Sequence, residues 1–173
     1  MQNGSDLIQL DEFRSQFPSA AFELDNCVTQ NDYLALWSKA NNGNLGEGML
    51  QAALHAAASI VKVQVSCSVV PLLDQYIEDC IAVNVALASL VINNNFNMDR
   101  KTKKLIEEKG FLGGMIEQLK PASKIGKGNF EVLKRAAQLE LSAEYCVWKW
   151  GQPFVDAHTL QKLQILASQY KFQ

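Results

Sequence analysis

Residues 47–92 are so apolar, and so regularly spaced, that they limit what the whole chain can become. Leu50, Leu54, Ala57, Ile60 and Val61 recur at three- and four-residue intervals, the spacing of one helix face. Pro71 ends or kinks that helix and suits the first turn of a second one, from Leu72 to about Ile92. A membrane hairpin fits poorly. Residues 52–70 carry His55, Lys62 and Gln64, residues 81–92 are few and include Asn84, and a spanning helix needs about 20 largely uninterrupted apolar residues. The pair is therefore expected to form the buried centre of a soluble domain.

One local pattern conflicts with this. From Val61 to Val69, apolar Val61, Val63, Val65, Cys67 and Val69 alternate with polar Lys62, Gln64, Ser66 and Ser68, the period of a half-buried strand. No hairpin signal and no second strand of similar quality offers a partner. The segment is read as helix; a strand there would invite pairing between chains.

The other signals are helical. Ser5 is a cap for a helix carrying Leu7, Leu10, Phe13 and Phe17 on one face, stopped by Pro18. A second start follows at Ser19, and Thr29 with Asp32 makes a cap with a carboxylate in the first turn. Residues 41–46 are the clearest loop. Asp99 caps a helix from Arg100 to Lys109, closed by Gly110. A short helix at 111–119 ends at Pro121, a long one is expected from Asn129 to Trp150, and a last one from Asp156 to Tyr170. With 48% apolar and 20% charged residues the chain is globular rather than disordered. The fold expected is all-α: a compact bundle or array of about seven or eight helices in a single domain over residues 1–173.

The stretch Lys124-Ile125-Gly126-Lys127-Gly128-Asn129-Phe130-Glu131-Val132-Leu133-Lys134 resembles the glycine-rich loop of a protein kinase. The resemblance fails on its own residues. Glu131 stands where the third glycine would lie against the triphosphate, Leu133 replaces the valine, and no V-A-I-K, H-R-D or D-F-G follows. The stretch is read as a loop leading into a helix capped by Asn129, with Lys124 and Lys127 beside it as a generic anion site at most.

Nothing else reads as catalytic. His55 sits among alanines and is expected to pack or cap, whereas His158 is expected in solvent. Neither belongs to a metal-ligand spacing, and Cys27, Cys67, Cys80 and Cys146 read as buried free thiols of a reducing compartment. The carboxylate pairs Asp74/Glu78 and Glu140/Glu144 read as solvated helix faces. No catalytic residue, cofactor or metal is expected. The start of the chain, MQNGSDLIQLDEF, has neither a positive segment nor an apolar core and does not read as a signal peptide, so the expected location is cytoplasmic.

Charge is the feature above background. Residues 1–99 hold three basic and eleven acidic side chains, a net of −8, and residues 100–135 hold ten basic and four acidic ones, a net of +6. The binding candidates are Arg100, Lys101, Lys103, Lys104, Lys120, Lys124, Lys127, Lys134 and Arg135. Such a cluster suits an acidic protein, the acidic half of another copy, or nucleic acid. Trp148 and Trp150, two residues apart, cannot share one helix face, which marks one of them as an interface candidate.

The chain closes on Phe172-Gln173, a bulky apolar residue before glutamine, where viral chymotrypsin-like proteases often cut. The functional expectation is a non-enzymatic helical adaptor, chaperone-like or assembly subunit acting through a protein partner or self-association. The runner-up is a small nucleic-acid-binding or nucleocapsid-like protein, replicase-associated if the glutamine end has that origin. A membrane partner is not expected.

Overall fold

The computed structural model describes residues 6–43, 46–66, 74–121 and 124–173. Among them are nine α-helices and no strand: α1 (Leu10–Gln16), α2 (Pro18–Asp25), α3 (Gln30–Asn41), α4 (Glu47–Lys62), α5 (Gln75–Asn93), α6 (Arg100–Gln118), α7 (Lys124–Arg135), α8 (Ala143–Cys146) and α9 (Ala157–Tyr170). The all-α expectation holds. Short 3-10 turns and one π turn, Val147–Gly151, join α7, α8 and α9.

The apolar centre forms as the spacing predicts. In α4, Ala52 and Ala56 join Phe13, Ala21, Leu24 and Leu36 in one cluster, while Ala53, Leu54, Ala57, Ile60 and Val61 join Ile81, Val85, Ile106, Leu112 and Leu133 in the larger one. Small alanine side chains let helices approach α4 from both sides. Gly48 belongs to the same design, because a Cβ there would lie 2.8 Å from a ring carbon of Phe17. By length and composition α5 could cross a membrane, but half of its apolar window is buried inside the fold.

Several boundaries differ from expectation. The first helix begins at Leu10, and Ser5 lies outside the described residues. Residues 6–9 are instead strapped across α4 and α5: Gln51 accepts from Ile8 N at 2.9 Å and donates to Asp6 O at 3.0 Å, His55 Nε2 donates to Ile8 O at 2.9 Å, and Tyr76 donates to Leu7 O at 2.5 Å. Those bonds satisfy the backbone without a helix. At the other end of α4 the helix stops at Lys62, Val63 and Gln64 turn, and neither the helix nor the strand reading of 61–69 survives over Val63–Ser66. Cys67, Val69, Pro71 and Leu72 lie outside the described residues, and α5 starts at Gln75 behind the Asp74 cap.

Two further corrections fall in the C-terminal half. Residues 124–130 are helical, so the glycine stretch is no loop and Asn129 no N-cap. Glycine costs a helix about 1 kcal/mol, and the packing of Leu133, 1% exposed, and of Phe130 on Tyr170 outweighs it. The long helix to Trp150 is broken after Arg135. There Ala137 adopts φ 55°, and Gln138 N donates back to Leu133 O at 2.9 Å, closing α7 as a Schellman turn.

The corner inside α6 was legible. Gly110 has φ 79° and ψ 176°, a conformation essentially confined to glycine. In a straight helix residues 106 and 114 would lie about 12 Å apart, yet a Cβ on Gly114 would stand 3.2 Å from Ile106 N. The two halves of α6 fold back on each other.

Candidate basic surface and polar cleft

The basic segment begins where a helix least favours cations. Asp99 caps α6, its carboxylate accepting from Lys101 N at 3.0 Å and Thr102 N at 2.9 Å. Arg100, Lys101, Lys103 and Lys104 then occupy the first turns with no acidic residue among them. The positive end of the helix dipole opposes each such charge by about 0.3–1 kcal/mol. Lys103 reaches Glu107 at 3.9 Å and Lys104 reaches Glu108 at 3.8 Å, in the weaker order of an i,i+4 pair. Local stability does not account for this arrangement.

The structure brings together the two helices, α6 and α7, that carry most of the candidate set. The first turn of α6, through Asp99 and Thr102, and the middle of α7, through Asn129 and Leu133, line one cleft together with Val85 and Ser89 of α5. Lys127, Lys134 and Arg135 are exposed on α7, and the Lys134 ammonium lies 5.6 Å over the ring of Tyr170, which meets Phe130 edge-on at 5.8 Å. Lys120 stands apart at the end of α6, paired with Glu117 at 2.7 Å. Lys124 opens α7, and its side chain is outside the described residues.

Among the described residues, every ion pair made by residues 100–135 is internal to that segment. The acidic half pairs elsewhere: Asp25 with Arg14 at 2.8 Å, Glu23 with Lys39 at 2.7 Å, Asp79 with Lys62, and Asp6 with Lys149 at 3.3 Å. Direct ion pairing therefore leaves the two opposed fields separate.

Trp148 and Trp150 are both half-buried against the larger core cluster. Trp148 packs with Tyr145 and Phe172 at 5.8 and 5.5 Å between ring centroids, and Lys149 lies 5.0 Å over Trp150. Neither is fully exposed.

Two features were missed. Glu78 is 4% exposed rather than solvated, and its Oε2 accepts from Phe111 N at 3.2 Å, at the start of the second half of α6. Burial raises its pKa. The signal was present: Glu78, Ile81, Ala82 and Val85 form one helical stripe, so Glu78 continues an apolar face. The second is a cavity of about 230 Å³ between α1, α2, α3, α4 and α5, lined by Arg14, Asp25, Tyr33, His55, Lys62 and Asp79 among others. His55 forms part of it as a packed side chain, 6% exposed, with its pKa lowered chiefly by burial. His158 is exposed, and Cys80 and Cys146 are buried thiols that burial pushes up to about 11 and about 12. Among the described residues no group of three or more His, Cys, Asp or Glu is placed to hold a metal ion. No protein family, curated protein or solved structure matches the chain.

Proposed function

We propose that the chain is a non-enzymatic helical assembly or adaptor subunit. It docks through the first turns of α6 and the exposed side of α7 onto an acidic protein surface, of which residues 1–99 of another copy are one example. The observation that carries this reading is the run of Arg100, Lys101, Lys103 and Lys104 at the unfavourable end of a helix dipole. A departure from local stability rules that the weak pairs of Lys103 with Glu107 and Lys104 with Glu108 only partly offset is where function is expected. Opposed charge steers encounter and sets register more than it supplies affinity, so such an assembly is labile to salt. Light scattering on the pure protein at low and high salt tests it. A mass above the monomer that falls with salt, or an acidic protein captured and then released by salt, supports the reading. A monomer at every salt concentration that captures nothing sinks it.

A second reading rests on its own observation. Phe130 and Tyr170 form an aromatic pair beside Lys134, with Lys127 and Arg135 on the same helix. Rings among cations are what stacking on single-stranded nucleic acid uses. Fluorescence anisotropy with single-stranded RNA, duplex RNA and duplex DNA at about 50 and 200 mM salt distinguishes it, because phosphate contacts weaken steeply over that range.

A further inference from the structure

The cavity beside His55 is independent of the basic surface and has the makings of a small-molecule site. His55 is fixed by a partner outside the cavity, and Arg14 and Lys62 by carboxylates that line it. His55 Nε2 faces the carbonyl of Ile8 at 2.9 Å, and a carbonyl only accepts, so the proton sits on Nε2 and the Nδ1 lone pair is free. Phe13 holds the ring at 5.1 Å between centroids. Nδ1 has no hydrogen-bond partner among the described residues.

Arg14 donates to Asp25 at 2.8 Å and lies 3.8 Å from Asp11, and Lys62 is paired with Asp79, which still leaves guanidinium and ammonium N–H groups to donate. Arg14, Lys62 and Asp79 all lie close enough to act electrostatically on His55. The Tyr33 hydroxyl is a further donor without a partner among the described residues. The wall carries two cations and two carboxylates, which balance in charge, and it offers N–H and O–H donors beside the one free imidazole lone pair. At about 230 Å³ the space is below the range of drug-sized ligands.

We propose that this cavity binds a small oxyanion that also carries a hydrogen-bond donor: a protonated phosphate, or a hydroxy- or amino-carboxylate. The anionic oxygens face Arg14 and Lys62, and the ligand's own O–H or N–H faces Nδ1 of His55. The carboxylates of Asp25 and Asp79 hold the two cations in place and weaken the site for a bare anion.

Inorganic phosphate and sulfate separate the parts of this assignment, because near neutral pH phosphate retains a P–OH and sulfate has no proton to donate. Ring-nitrogen NMR of His55 in the full chain, at constant ionic strength, is the readout. Expected are the Nε2–H tautomer, a saturable shift of Nδ1 with phosphate, and sulfate binding about tenfold or more weaker, since a lone pair then meets an anionic oxygen. Arg14→Gln, at an exposed position, abolishes the phosphate shift while the melting curve by circular dichroism stays cooperative. No shift with phosphate, equal shifts with both anions, or an unchanged shift in Arg14→Gln overturns the proposal.

Discussion

The carboxylate of Glu78 in α5 accepts the backbone N–H of Phe111 at 3.2 Å, just past the corner that Gly110 makes in α6. The second half of α6 starts there with orphan N–H groups, and a buried carboxylate from another helix satisfies them in place of a local cap. The other oxygen, Oε1, is buried without a partner among the described residues. One acidic side chain thus ties the central helix pair to the helix that carries the basic surface.

Gly110→Ala is expected to cost about 1–3 kcal/mol, because φ 79° with ψ 176° is strained for any residue with a Cβ. Space is not the limit, since the nearest atom to such a Cβ would be Glu78 Oε1 at 4.0 Å. Glu78→Ala is expected to lose about 1–3 kcal/mol by leaving buried N–H groups unpaired. Urea unfolding of both variants checks the pair, and a wild-type midpoint for either contradicts the account of the corner.

Ala137→Gly should move stability the other way. Ala137 closes α7 at φ 55°, where an alanine costs about 1–2 kcal/mol relative to its right-handed conformation. Its side chain is exposed, so removing the methyl group sacrifices little packing. A gain of up to about 1 kcal/mol by thermal melting is expected; a loss would mean that the methyl group matters more than the backbone.

The same position shows why part of the fold could not be read from sequence. Asp99, the pair of Thr29 with Asp32, and Gly110 were legible because each residue type fits its backbone role. Ala137 and the residues 6–9 strap were not, because alanine carries no signal for a left-handed helix end and side chains of α4 and α5 hold the strap. The glycines of 124–134 suggested a loop, and the tertiary burial of Leu133 overrode them. The charge split was plain in the sequence; the cavity was not, since Arg14, His55 and Asp79 meet only through the fold.

Glu144 and Glu78 should lower stability as pH rises from about 4.5 to about 7, against the gain that buried His55, its pKa lowered, gives as pH rises toward its ordinary 6.5. Burial pushes Glu144 from the ordinary 4.5 up to about 7, and it raises Glu78 in the same direction. A carboxyl with a raised folded-state pKa binds its proton more tightly when folded. Its contribution is complete below the unfolded value and is lost as pH passes through the folded one. Glu144→Gln should therefore flatten the pH dependence of the melting temperature over that window, with at most about 3 kcal/mol at stake. An identical pH profile in the variant would show that Glu144 ionises normally.

The sharpest test of the basic surface uses the helix dipole against it. Arg100 and Lys101 are exposed and make no ion pair among the described residues, so Arg100→Glu with Lys101→Glu removes no internal partner. At the first positions of α6 the new carboxylates face the positive end of the dipole, and each substitution is worth about 0.3–1 kcal/mol in favour of folding. The double variant should melt at or above the wild-type temperature while losing salt-labile assembly or partner capture. Stability and binding then move in opposite directions, as they should where a surface is kept for contact at the expense of its own helix. A variant that gains stability and assembles as before would leave the four cations as a solvated face, and the docking role would have to move elsewhere on the molecule.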